Sequence, residues 1–137
     1  MDENLQKITT FIEQHHVLSL ATFSGTELGV CSLFYAYSTE HNCFVVASSQ
    51  ETQHIQNIQL HKQIAANILL ETKEVGKIQG LQIKGTFLPL EERALKHLYF
   101  KRFPYALAMN PELWKIEVEH FKFTDNRLGF GKKLIWP

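Results

Sequence analysis

Between Ile78 and Leu88 the chain alternates: Leu81, Ile83, Gly85 and Phe87 fall on one side, Gln82, Lys84 and Thr86 on the other. A period of two marks a half-buried strand, because successive side chains leave a pleated backbone on opposite faces. The stretch Ile64 to Leu70 repeats the pattern through Ile64, Ala66, Ile68 and Leu70. Upstream, Val17–Phe23, Leu28–Tyr37 and Cys43–Ala47 are rich in β-branched and aromatic residues, with Ser24-Gly25 and Ser38–Asn42 as turns, so they predict a three-strand meander. A last strand begins near Leu113. Its apolar phase runs Trp114, Ile116, Val118 and then slips to Phe121 and Phe123, which predicts a bulge near His120.

Helical spacing fills the intervals. Residues 3–14 carry Leu5, Ile8 and Ile12 with Phe11 beside them, the stripe of a helix lying on a core. Residues 49–61 read as a short polar helix, with Ser48-x-x-Glu51 as a capping box. After Pro89, a helix from about Glu91 to Phe103 presents Leu95, Leu98, Tyr99 and Phe103. The order is helix, three strands, helix, two strands, helix, strand. That order predicts one domain over residues 1–137, mostly β: a six-stranded antiparallel barrel with helices packed outside.

With 14 basic and 14 acidic side chains the formal net charge is zero, which argues against a nucleic-acid partner. No apolar run approaches the roughly 20 residues that span a bilayer. The acidic start, Met-Asp-Glu-Asn, leads straight into an amphipathic helix rather than a signal peptide, so the expectation is cytoplasmic, without a membrane partner. In the predicted hairpin Cys31 and Cys43 lie on the order of 20 Å apart, too far for a disulfide; both read as buried small apolar residues.

Chemistry is less legible. Of seven histidines, His15 and His16 would point apart if extended, His54 and His61 are spaced too widely to share a metal, and His97 and His120 are isolated. No metal site is predicted. Gly129-Phe-Gly-Lys132-Lys133 is not a phosphate loop, because no helix follows it. Glu91-Glu92 and Glu117/Glu119 read as a helix start and a solvated strand face. No nucleophile–base grouping follows from spacing, so the catalytic residues are unknown.

Arg102-Phe103-Pro104, Trp114 and the run from Phe121 through Thr124-Asp-Asn-Arg-Leu-Gly-Phe-Gly-Lys-Lys-Leu-Ile to Trp136 resemble a known C-terminal signature. It is that of the uncharacterised YhbP-like family, within the pyridoxamine-5'-phosphate-oxidase-like, FMN-binding split barrels. The resemblance implies the FMN-binding split-barrel fold and a homodimer whose flavin sites draw on both chains. It places the flavin phosphate at Ser48, Ser49, Thr52 and His54, and the ring against Phe34, Tyr35 and Gln82. It also has the tail reach the partner's site, with Lys132 or Trp136 contributing.

Helix starts and hydroxyls suit a phosphate, and a protonated His54 would add charge. Where relatives carry Arg or Lys this chain has Glu51, Gln53 and His54, an exchange that costs about 1–3 kcal/mol of charge-assisted bonding. The resemblance therefore implies a flavin-binding protein, an FMN-dependent oxidoreductase of unnamed small-molecule substrate if it is an enzyme. The alternative is a non-enzymatic haem or small-ligand binding module with a decayed flavin site.

Overall fold

The computed structural model describes residues 2–137 as one antiparallel sheet closed on itself, with helices around it. The strands are β1 (Val17–Phe23), β2 (Leu28–Ser38), β3 (Cys43–Ala47), β4 (Gln63–Leu70), β5 (Gln79–Pro89), β6 (Leu113–Asp125) and β7 (Lys133–Trp136). They pair in the order β3-β2-β1-β4-β5-β6-β7, and β3 also pairs with β6, which closes a six-stranded barrel. The helices are α1 (Glu3–Glu13), α2 (Gln53–Leu60), α3 (Arg93–Arg102) and α4 (Pro104–Met109).

Alternation decides what the barrel encloses. Tyr35, Phe44, Phe87 and Phe121 have no exposed surface, and Phe44 meets Tyr35 and Phe121 edge-on at centroid separations of 5.2 and 6.4 Å. Each such ring removes apolar area from water, a contribution of about 1.5–3 kcal/mol. At one end α1, capped by Asp2, buries Ile8, Phe11 and Ile12. Phe11 stacks 4.8 Å from Phe123.

α2 lies against β1 and β2. Its buried Asn57 donates from Nδ2 to Thr22 Oγ1 at 3.0 Å and accepts from Gln53 Nε2 at 2.8 Å, so neither end of the amide is orphaned. Gly29 permits this approach: a Cβ there would sit 3.2 Å from the Asn57 amide. A smaller cluster of Ala36, Cys43, Val45, Leu90, Leu95, Tyr99 and Leu113 seats α3. Phe103, the residue before Pro104, leaves the helical region at φ −126°, ψ 75°, so the chain restarts as α4.

The bulge occurs where the phase slip predicts it. Lys84 pairs with His120 and Gly85 with Val118, so Glu119 is the extra residue. Gly85 is required at that point, because a Cβ would lie 2.4 Å from the Glu117 carbonyl oxygen.

Four features of the fold differ from the sequence expectation. β7 is a seventh strand outside the barrel, pairing Phe121–Thr124 with Lys133–Trp136. β3 reaches only Leu113–Glu117, so the remainder of that β6 edge is free for the tail. α2 begins at Gln53, not residue 49, and its cap is Thr52, whose side chain accepts from the Ile55 N–H; Ser48 and Glu51 form no capping box. Cys31 is half-buried rather than buried, and both cysteines are free thiols. α4 has no counterpart in the sequence reading.

Candidate functional site

The segment after β3 folds into a compact turn. The Ser48 N–H donates to the Glu112 carbonyl at 3.1 Å, and the Ser48 carbonyl accepts from Trp114 Nε1 at 2.9 Å. The turn is thereby fixed to the start of β6. Thr52 donates from Oγ1 to the Ser49 carbonyl at 2.8 Å. His54 turns back so that its Nε2 lies 2.5 Å from Ser48 Oγ and 3.4 Å from Thr52 Oγ1. Ser48, Ser49, Thr52 and His54 thus do come together.

Their electrostatics differ from the expected ones. Burial lowers the His54 pKa, so near neutral pH the imidazole is uncharged and adds no cation. The donors that remain for an anion are the Ser49 hydroxyl, which none of the described hydrogen bonds engages, and the first N–H groups of α2; those of Gln53 and His54 meet no backbone acceptor among the described residues. Ser48 and His54 also form a hydroxyl–imidazole contact that no spacing argument could reveal. No carboxylate orients the ring among the described hydrogen bonds, so it is not a triad.

The ring-contact residues divide. Phe34 is 58% exposed on the outer face and meets Phe103 edge-on at 5.5 Å. Tyr35 points the other way: it is fully buried, its hydroxyl donates to the Ile12 carbonyl at 2.5 Å, and burial raises its pKa. Its side chain cannot frame a ligand on the outer face, a direct result of strand alternation. Gln82 is exposed on β5, opposite Asn67 and Lys122. Lys132 is exposed in the loop before β7, where its carbonyl accepts from the Asp125 N–H at 3.1 Å. The turn lies at the beginning of β6 and Lys132 at its end, about 35–40 Å apart along the strand. Within one chain they form no common pocket.

No family model matches the sequence. A UPF0306 protein of Cronobacter sakazakii is 36% identical over 135 residues, covering 96% of this chain and 94% of that protein. UPF0306 protein YhbP of Escherichia coli is 33% identical, covering 98% and 93%. The chain belongs to the UPF0306 (YhbP) family. Solved structures similar to this UPF0306 chain share its split barrel at low identity. They include a haem-binding protein from Mycobacterium smegmatis, with TM-score 0.81 and 14% identity over 99% of this chain and 58% of that one. An FAD-binding protein from Mesorhizobium loti follows at 0.73 and 13%, covering 87% and 90%. The haem storage protein HutZ of Vibrio cholerae stands at 0.70 and 16%, covering 83% and 89%.

In this UPF0306 chain the outer face of the barrel also carries groups the sequence reading left unassigned. β1 and β2 present Val17, Phe23, Leu28, Val30 and Phe34, all more than 40% exposed. Beside them, Ala21, Ala65, Lys84 and Glu119 line a shallow cleft of about 360 Å³. Further round, Lys84, His120 and Lys122 line a second of about 340 Å³. The phase slip at His120 was the one signal in the sequence for this second cleft. Among the described residues no helix is long and apolar enough to cross a membrane, and no cluster of His, Cys, Asp and Glu is arranged for a metal.

Proposed function

We propose that this chain is a homodimeric, cytoplasmic FMN-binding protein whose flavin phosphate sits at the Ser48–His54 turn. The carrying observation is the turn itself: the first N–H groups of α2, those of Gln53 and His54, meet no backbone acceptor among the described residues and follow directly on the Ser48–Thr52 turn. These groups fit a phosphate by hydrogen bonding and dipole, without a cation. Phe34 supplies an apolar surface near that corner, since β3 continues past Val46, the partner of Tyr35, towards Ser48.

Gln82 and Lys132 lie too far along the barrel to serve the same ligand in one chain, which supports a site completed by a second copy. The exposed apolar face of Val17, Phe23, Leu28, Val30 and Phe34 is a suitable surface for that copy. Bound flavin would supply hydride or electron transfer, and the chain's own residues would orient it and exclude water. Nothing in the turn acts as a base with an oriented partner, so the substrate stays unnamed.

FMN titration of the purified protein tests the reading. Saturable fluorescence quenching near one FMN per chain is expected, weakened in a Thr52→Ala/His54→Ala variant that stays folded. Equal affinity in that variant removes the phosphate assignment. In sedimentation the protein should be dimeric, and Val30→Asp with Phe34→Asp should give monomers.

A second reading, a haem or small-ligand carrier, is favoured by the absence of any Lys or Arg in the turn and by the uncharged His54. A neutral imidazole is the form that ligates iron. A Soret band on titration with haemin, lost in His54→Ala, together with no response to FMN, would select it.

A further inference from the structure

We infer that the cleft on the outer face of β5 and β6 is a binding subsite for a phosphoryl group, held by Lys84, His120 and Lys122. The cleft measures about 340 Å³ and is lined by these three with Gln82 and Ile135; no lining residue is acidic. The ladder puts Lys84 directly opposite His120 and Gln82 directly opposite Lys122, with Ile135 of β7 facing Lys122 from the other side. Lys84 and Lys122 are therefore diagonal neighbours. Their Cβ atoms stand roughly 7 Å apart at that register, a spacing from which two flexible ammonium groups can reach oxygens of one phosphoryl group.

The bulge builds this arrangement. Without the extra residue Glu119, the phase set by Trp114, Ile116 and Val118 would bring His120 and Lys122 inward and turn Phe121 and Phe123 outward. With it, the two phenylalanines are buried and the two basic residues join Lys84 outside. Cations gathered across adjacent strands repel, and the fold does not neutralise them. Among the described residues the ion pairs are Lys7–Glu3, Lys77–Glu74, Lys115 with Glu92 and Glu117, and Arg127–Asp125. Glu119, the nearest carboxylate in sequence, accepts from Thr86 Oγ1 at 2.7 Å and lines the neighbouring cleft that Lys84 also borders.

A bridging dianion is the ligand such a group selects. Two ammonium groups, an imidazole N–H and the Gln82 amide supply donors to several terminal oxygens at once, whereas a carboxylate offers two oxygens and one charge. Electrostatically this is the reverse of the Ser48–His54 turn. The inference does not depend on flavin binding and is tested without it.

The experiment is a titration of the full chain with inorganic pyrophosphate, followed by amide NMR, with acetate at matched ionic strength as the control. Saturable shifts at Gln82, Lys84, His120, Lys122 and Ile135, absent with acetate, are expected. Lys84→Gln and Lys122→Gln should each weaken binding by about tenfold, and Lys84→Arg should restore most of it. The dispersed amide spectrum of each variant reports that it is folded. Shifts centred on Ser49–His54, shifts spread over lysines generally, equal shifts with acetate, or unchanged affinity in both Gln variants would each overturn the subsite.

Discussion

The Ser48–His54 turn and the Lys84–Lys122 cleft are both places where an anion could dock, and they are built on opposite principles. The turn is rich in polar groups that already bond one another: Ser48 with His54, Thr52 with the Ser49 carbonyl, the Ser48 backbone with β6. Its attraction for an anion rests on the Ser49 hydroxyl and helix N–H groups, with burial keeping His54 uncharged. The cleft has no acidic lining residue and two ammonium groups, Lys84 and Lys122, outside every ion pair among the described residues. A site that is internally satisfied is rigid and electrostatically mild, whereas a site that is unsatisfied is costly to form and attractive to a counterion.

Substitutions can break either side of this contrast. The largest effect is expected at Gly85, which holds the bulge that builds the cleft. Gly85→Ala forces a Cβ to within 2.4 Å of the Glu117 carbonyl oxygen and should destabilise the fold by about 3 kcal/mol in urea titration. A cost below 1 kcal/mol would mean that the bulge can shift, and with it the cleft.

Next comes Asn57, the tether of α2 and so of the turn. Asn57→Ala removes the partner of both Thr22 and Gln53 and should cost about 1–3 kcal/mol, while leaving pyrophosphate binding at the cleft unchanged. Thr52→Ala deletes the α2 cap and should cost about 1 kcal/mol, again without effect on the cleft. If either variant weakened pyrophosphate binding, the two regions would not be independent.

The smallest effect is on pH dependence. Burial depresses the His54 pKa, so the folded imidazole resists the proton that the unfolded one accepts near pH 6.5. Its contribution is fully present above that pH and is lost as pH falls below it. His15, lowered by burial and by His16, acts in the same direction. Stability should therefore fall as pH drops below about 6.5, less steeply in His54→Gln and least in a His15→Gln/His54→Gln double variant. An unchanged slope would show that His54 protonates freely in the folded state.

Strand alternation was sufficient to read the barrel, because burying one face and wetting the other leaves a pattern in every strand. The slip from Val118 to Phe121 located the bulge for the same reason. The tail was harder to read. Lys133–Trp136 pairs only because β3 is too short to cover all of β6, and relative strand lengths after closure are not written in any local window. Tyr35 shows the same limit at a single residue: a resemblance assigned it to a ligand-facing strand, and parity turned it into the core. The start of α2 was misread because Ser48 and Thr52 both suit a cap, and only the bonds from Ser48 to β6 and His54 commit it elsewhere.

By itself the sequence determined that this chain alternates into antiparallel strands, closes a barrel and bulges near His120, since periodicity and phase are local properties. Only the tertiary structure decided that Ser48 meets His54, that burial leaves this imidazole uncharged, and that Lys84, His120 and Lys122 share one face. Those outcomes depend on register between strands far apart in the chain, which is fixed when the barrel closes.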